Sequence, residues 1–333
     1  MSKAIRIHSH GGPEVMRWED IELAPPAAGE ARVRHTAIAL NFSDVNVRRG
    51  GFYPGSQPKL PLIPGNEAAG VVEAVGPAVE DLRPGQRVAY VGVGGPFYEN
   101  TGAYAEERNV PAARLVKLPD DISEQQAAAL LLKGLTASMI VNRVWKPKPG
   151  ETILIHAAAS GVGLILTQWA KHLGATVIGT VGSHDKAATA LAHGCDHAIL
   201  YRERDFVAEV KGIVARGVDA VFDGVGRDTF EKSFDCVRPF GMLVNYGNAS
   251  GHPAPLDLLL LAKKGSLAVS RPGFHHHIDD PAAFRAACAE LFELVRRGVL
   301  RIEIGRTYAL KDAAAAHRDV EDRRIAGSVV LLP

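Results

Sequence analysis

A chain of 333 residues exceeds the size at which a single hydrophobic core keeps growing, so two domains are expected, and 47% hydrophobic residues provide material for both cores. Lys plus Arg (38) and Asp plus Glu (37) leave a formal charge of +1, which excludes a global basic field for nucleic acid or an anionic membrane and favours small ligands recognised locally. The three cysteines, Cys195, Cys236 and Cys288, stand in no metal or C-x-x-C spacing and read as small buried residues in a reducing compartment.

In chain order, residues 1–125 carry short alternating runs broken by Gly and Pro: KAIRIH, EARVRHTAIAL, AAGVVEAVG, QRVAYV and RLVKLP. That pattern predicts a Greek-key-style β domain. The first residues enter a strand pattern directly, with no apolar leader and no run of 18 or more apolar residues anywhere, so a cytoplasmic protein without a membrane partner is expected. Ser-Glu-Gln-Gln from Ser123 predicts a helix N-cap before the apolar AAALLLKGLTASMIV.

After Gly150 strand-like and helix-like segments alternate through TILIH, TVIGTV, HAILY, VDAVFDGVG and GMLVNYG, which predicts a parallel, doubly wound sheet. The organising stretch is Glu151 to Val181: a buried strand over Thr152–His156, a helix over Gly161–Leu173 and a second strand over Ala175–Val181. Between the first strand and the helix lies Ala157-Ala158-Ala159-Ser160-Gly161-Val162-Gly163, small enough for a ligand to approach the helix N-terminus, where free N–H groups bind a pyrophosphate without a basic side chain. Ser160 stands where the G-x-G-x-x-G fingerprint has its second glycine, and Gly163 lets the helix pack closely on the strand.

An NAD site usually ends its second strand in an acid, but here the chain reads Gly179-Thr180-Val181-Gly182-Ser183-His184-Asp185-Lys186. The Ser183 hydroxyl and the Lys186 ammonium suit a 2′-phosphate, so NADP(H) is favoured; the alternative is that Lys186 is a solvated surface charge. From about Asp279 a helix, PAAFRAACAELFELVRRG, precedes RIEIGRTYAL, the short helix AAAAHRDVEDRR and the strand SVVLLP. These pieces are expected to return to the first domain, giving a catalytic domain of 1–125 continued by 275–333 and a nucleotide domain of 126–274. His275-His276-His277 has no carboxylate or cysteine at metal spacing and reads as an exposed loop, so no metal is expected.

The segments HAAASGVGLILTQWAKHLGATVIGTVGS, PLIPGNEAAGVVEAVG, NFSDVNVRRG, LLKGLT, VGRDTFEKSFDC, YGNASG and AGSVVLLP, in that family's motif order and over nearly the whole length, resemble the quinone oxidoreductases of the zeta-crystallin type within the medium-chain dehydrogenase/reductase superfamily. The resemblance implies an α/β chain with a GroES-like β-rich catalytic domain, a Rossmann domain, NADPH as reductant, a quinone as acceptor and a homodimer. Two departures stand out: Ser160-Gly161 replaces a glycine pair, and Asn46 replaces the tyrosine of bacterial members. Zinc-dependent relatives have a cysteine and a histidine where this chain has Asn41 and Asn66, and no cysteine precedes Cys195, so both zinc sites are expected to be missing and Glu67 to be a hydrogen-bond anchor.

By the same resemblance Asn41, Phe42 and Asp44 lie beside the nicotinamide and its ribose, with Tyr53 nearby; turn chemistry is the other explanation for Asn41 and Asp44. Lys133 and Thr136 are placed to contact the nicotinamide-side ribose or the acceptor oxygen, unless the lysine merely snorkels to solvent. Tyr201 matches a residue covering the adenosine phosphate, or else is a half-buried strand aromatic. Gly247 and Asn248, and Ser270 and Arg271, are expected at strand ends facing the ligand, and Arg323, or its neighbour Arg324, near the cofactor. The implied reaction transfers reducing equivalents from NADPH to a quinone in an interdomain cleft. Reduction of an enone or alkenal C=C bond is the alternative chemistry, and a nucleotide-binding crystallin-like or RNA-binding protein the alternative class.

Overall fold

The computed structural model describes residues 2–51, 58–94 and 100–333. The chain divides into two compact units, Met1–Leu132 with His275–Glu293 and Ile302–Pro333, and Lys133–Phe274 with Leu294–Arg301, beside the sequence-based boundaries at 125/126 and 274/275.

The first unit is built on a mostly antiparallel sheet. Its strands lie side by side in the order Ile304–Ala309, Ser328–Leu332, Glu30–Leu40, Glu67–Val75, Arg87–Val91 and Val116–Lys117, and Glu107–Pro111 also pairs with Glu30–Leu40. Period-two burial in the long strand explains its register: Ala31, Val33 and His35 point inward, while Arg32 and Arg34 point outward. Ile38, Val72, Tyr90, Tyr104, Val329 and Leu331 fill the core beneath it. Strands Ser2–Ile7 and Met16–Ile21 make a separate antiparallel pair.

The second unit is a parallel six-stranded sheet in the order His197–Leu200, Thr176–Val181, Thr152–His156, Val218–Asp223, Val237–Asn245 and Ala268–Ser270. The two central strands are buried along their whole length, as strands covered on both faces must be. Strand order reverses between Thr152–His156 and Val218–Asp223, and at such a switch the C-terminal strand ends open a crevice for ligands. This α/β architecture matches the sequence-based expectation.

One reading is corrected. His275–His277 do not form an exposed loop: they lie in the short helix Phe274–Ile278, and only His276 of the three is exposed. The segment Glu124–Val144 is one continuous helical run of 21 residues, long and apolar enough by composition to cross a membrane, although it contains no unbroken run of 18 apolar residues. Lys133 and Arg143 interrupt it, and 83% of its most apolar window is buried in protein, which is how a core helix behaves. It starts as expected: Ser123 Oγ accepts the Gln126 N–H at 3.2 Å while the Gln126 side chain accepts the Ser123 N–H at 3.0 Å.

Candidate active site

In the second unit the helix Gly161–His172 begins directly after the strand Thr152–His156. Ser160, in the place of the missing glycine, is the N-cap, and its Oγ accepts the Gly163 N–H at 3.1 Å. The substitution is therefore a cap, and it leaves the first-turn N–H groups of Gly161 and Val162 for a ligand. A Cβ on Gly163 would lie 2.3 Å from the Ala157 carbonyl oxygen, so only glycine lets the helix sit this close to the turn.

At the end of the next strand, Ser183 caps the helix His184–Ala192 by accepting the Lys186 N–H at 3.4 Å. Its hydroxyl keeps a proton to donate, and the Lys186 side chain follows in the first turn of that helix. Gly182 lies against the neighbouring strand end: a Cβ there would be 3.1 Å from Tyr201 Oη and 3.5 Å from Arg202 Nε. Tyr201 is half-buried, and its N–H donates to the Val181 carbonyl at 3.2 Å.

Across the switch point, a buried carboxylate organises the other strand ends. Asp223 accepts from the Val225 N–H at 2.8 Å, the Gly226 N–H at 3.2 Å, Thr229 Oγ1 at 2.9 Å and Asn245 Nδ2 at 3.3 Å. Arg271 donates through Nη1 to Asn245 Oδ1 at 2.5 Å and to the Gly247 carbonyl at 3.2 Å. It thus clamps two strand ends, a positioning task beyond the ligand contact expected of it. A Cβ on Gly247 would meet the Gly224 oxygen at 2.4 Å, so these two glycines bring the loops together. Asn248 Nδ2 lies 3.2 Å from His252 Nδ1, whereas its Oδ1 is buried with no hydrogen-bond donor among the described residues. Ser270 ends the edge strand Ala268–Ser270.

Lys133 and Thr136 lie three residues apart in the helix Glu124–Met139, a spacing that puts both on one face. They are only 6% and 8% exposed, so Lys133 does not snorkel to solvent.

The first unit holds the remaining residues. Asn41 precedes the helix Phe42–Arg49, and its N–H donates to Asp44 Oδ2 at 2.9 Å. Asp44 is fully buried and also accepts from Asn66 Nδ2 at 3.2 Å and Tyr104 Oη at 3.3 Å. The Asn41 side chain faces Glu67, donating through Nδ2 to Oε1 at 2.7 Å, while the Leu132 N–H donates to Oε2 at 2.7 Å. Glu67 is thus the anchor the sequence suggested, with both oxygens engaged. Burial, reinforced by the Asp44 carboxylate, holds the Tyr104 hydroxyl well above the usual phenol range.

Behind Tyr104 lies His317, its Nε2 at 3.1 Å from Tyr104 Oη. Burial, then the Arg48 and Arg49 guanidiniums, push His317 down to about 3, so it is neutral. Arg48 is fully buried, with Nη2 donating to Glu321 Oε1 at 2.6 Å. Phe42 is half-buried and Arg323 exposed; Arg323 follows the helix Ala313–Glu321 with φ +57. Arg324 beside it is tied to Asp319 at 3.0 Å and Asp322 at 2.9 Å. Tyr53 lies outside the described residues.

Tyr104, His317, Asp223 and Asn245 were not singled out from the sequence, and Asn66 was named there only as the residue in place of a zinc-binding histidine. Only Asp223 leaves a local signal, as an acid ending a strand before Gly-Val-Gly. The three cysteines are buried, and burial pushes the Cys195 and Cys236 thiols up to about 11 and about 12, which fits inert packing residues.

Residues 27–120 match the family described as "Alcohol dehydrogenase GroES-like domain", and residues 161–286 that described as "Zinc-binding dehydrogenase". The quinone oxidoreductase of Pseudomonas aeruginosa is 46% identical over 334 residues, covering 100% of both chains. The 2-haloacrylate reductase of a Burkholderia species is 42% identical over 337 residues, 100% of this chain and 99% of its own. Among solved structures, Escherichia coli quinone oxidoreductase complexed with NADPH superimposes with a TM-score of 0.93 at 42% identity, over 99% of this chain and 100% of the other.

Proposed function

The chain belongs to the quinone oxidoreductase family of the medium-chain dehydrogenase/reductase superfamily, and on that premise we propose that it is an NADPH:quinone oxidoreductase. The carrying observation is the phosphate cradle of the second unit. A capped helix N-terminus has two uncommitted N–H groups, a glycine no other residue can replace without moving the turn, and a second strand that ends in Gly182-Ser183 with Lys186 one turn on. These residues fit a pyrophosphate and a 2′-phosphate. In this reading Gly161, Val162 and Gly163 hold the pyrophosphate, Gly182, Ser183, Lys186 and Tyr201 the phosphorylated ribose, and Gly247, Asn248, Ser270 and Arg271 line the strand ends toward the nicotinamide half. Asn41, Phe42, Asp44 and Arg323 are assigned to the cofactor by likeness to the family.

When bound, NADPH supplies the hydride. The protein's own part is positional and electrostatic. Asp44 and Glu67 fix Asn41, whose carboxamide is held by its bond to Glu67. Lys133 Nζ and Thr136 Oγ1 are the groups on the helix able to donate to an acceptor oxygen as negative charge develops on it.

We propose further that the enzyme works without zinc. Asn41 and Asn66 offer carboxamides where thiolate or imidazole is required, and both oxygens of Glu67 already accept hydrogen bonds. Undiminished turnover after dialysis against a zinc chelator is expected; loss restored by zinc alone would refute this. A homodimer is proposed as well, supported by Phe240, Leu258 and Leu259, 76%, 73% and 66% exposed, near the edge strand Ala268–Ser270. Phe240 donates its N–H to the Gly265 carbonyl at 2.9 Å, just before that strand. Sedimentation is expected to give twice the mass of one chain, falling to the single-chain mass in Phe240→Glu/Leu259→Glu; a wild-type monomer would end the idea.

The deciding measurement is oxidation of NADPH and NADH with 1,4-benzoquinone and, separately, with an enone and a 2-haloacrylate. NADPH with the quinone should dominate, and Lys186→Ala should cost NADPH roughly tenfold in kcat/KM, the effect of losing one charge-assisted hydrogen bond to a phosphate. The haloacrylate relative gives the second reading its footing: faster turnover of the activated alkene would transfer the assignment to C=C reduction.

A further inference from the structure

We propose that Arg202 is the second cationic clamp for the 2′-phosphate and, with Lys186, sets the preference for NADPH over NADH. The proposal rests on the NADPH reading above and adds to it a specificity-determining residue. A phosphate dianion is best neutralised from two sides, and a guanidinium supplies a planar pair of N–H donors that an ammonium lacks.

Arg202 has the right address. Its Nε stands 3.5 Å from where a Cβ of Gly182 would be, and Tyr201 Oη stands 3.1 Å from the same point, so tyrosine and guanidinium both border the strand end that carries Ser183. The absence of a side chain at Gly182 is what lets them approach. The chain is held there by a tight turn, in which the Glu203 and Arg204 N–H groups both donate to the Leu200 carbonyl, at 2.9 and 3.0 Å.

The charges around this turn are otherwise accounted for. Glu203 faces His184 at 3.4 Å, Arg204 pairs with Glu209 at 3.3 Å, and the Asp205 carboxylate caps the next helix by accepting the Val207 N–H at 2.8 Å. In Arg202-Glu203-Arg204-Asp205 only the Arg202 side chain forms no hydrogen bond or ion pair among the described residues. It is exposed, so neither packing nor a protein partner explains its position. The sequence-based pair, Ser183 and Lys186, also needs a second charge: Ser183 is neutral and its oxygen is already an acceptor in the helix cap.

The test is a binding titration, independent of turnover, of 2′,5′-ADP and 5′-AMP to wild type, Arg202→Ala, Arg202→Lys and Lys186→Ala. Arg202→Ala should lose about tenfold or more in affinity for 2′,5′-ADP, as expected for one charge-assisted contact, with 5′-AMP binding held. Arg202→Lys should recover part of the loss, since charge returns without the paired donors. An unchanged 2′,5′-ADP affinity in Arg202→Ala overturns the proposal, as does an equal loss for both ligands, which would give the arginine an adenosine or structural role. If wild type itself does not distinguish the two ligands, the NADPH reading fails, and it does so visibly apart from any effect of Arg202.

Discussion

In the first unit the candidate polar residues are bound to one another, whereas in the second the cap at Ser160 leaves the backbone N–H groups of Gly161 and Val162 facing outward. Asp44 is buried beneath three donors and both oxygens of Glu67 are taken. The second unit's strand ends are built instead from backbone N–H groups, glycines where a Cβ would collide, and side chains at the rim. Buried polar groups must be satisfied internally or they cost stability, so the first arrangement gives a rigid wall. A phosphate site must leave donors unsatisfied until the ligand arrives, so the second gives a socket. One rule of hydrogen-bond satisfaction thus yields a scaffold in one place and the proposed binding site in the other.

The contrast is most sharply broken at Arg48. Its guanidinium is fully buried, Nε and Nη1 have no partner among the described residues, and Glu321 supplies its counter-charge. Glu321→Ala should destabilise the protein by about 3–5 kcal/mol in urea unfolding, the cost of an uncompensated buried charge, and adding Arg48→Met should restore much of it. A loss below about 1 kcal/mol would mean that the wall is not internally bound as described.

Acid should act next on the same region. Burial holds His35 and His317 neutral, down from 6.5 to about 4 and about 3, whereas in the unfolded chain both take a proton near 6.5. Between those values the unfolded state binds more protons, so stability is complete above pH 6.5 and is lost as pH falls toward 4. Each histidine contributes up to roughly 1.4 kcal/mol per pH unit within its window. Melting curves from pH 7.5 to 4 should show that decline, and His317→Gln should flatten it.

For the socket, Gly163→Ala forces a methyl to within 2.3 Å of a backbone oxygen, so the turn has to move. About 1–3 kcal/mol of stability should go, with a loss of NADPH affinity out of proportion to it in fluorescence titration. Unimpaired binding would show that close approach of helix and turn is not what shapes the site. The mildest change is Ser160→Ala, which removes a cap worth about 1 kcal/mol and should register as a small drop in melting temperature.

The socket was the legible half. Its βαβ unit, its small-residue turn and its Lys186 are local in sequence, and period and propensity report local structure. The wall was legible only at Asn41, Asp44 and Glu67, and there by likeness and turn chemistry more than by pattern. Tyr104 meets His317 across 213 residues and Arg48 meets Glu321 across 273, separations over which no periodicity carries information. The burial of Lys133 was hidden for a related reason: its helix is apolar nearly all round, so the sequence did not reveal which face would meet water. Arg202 was passed over because a charge in a charged run looks solvated until its neighbours are seen to be paired with each other.

The discontinuous first unit also fixes an order of events on the ribosome. Strand Glu30–Leu40 takes as its neighbour Ser328–Leu332, so this sheet cannot close until nearly 300 further residues have been made, about 15–60 s at ordinary elongation rates. The parallel sheet needs only residues 152–270 and is available well before that. The nascent chain therefore carries an early, unfinished β-sheet edge past a later domain that can already be complete, and the part synthesised first is the last to mature.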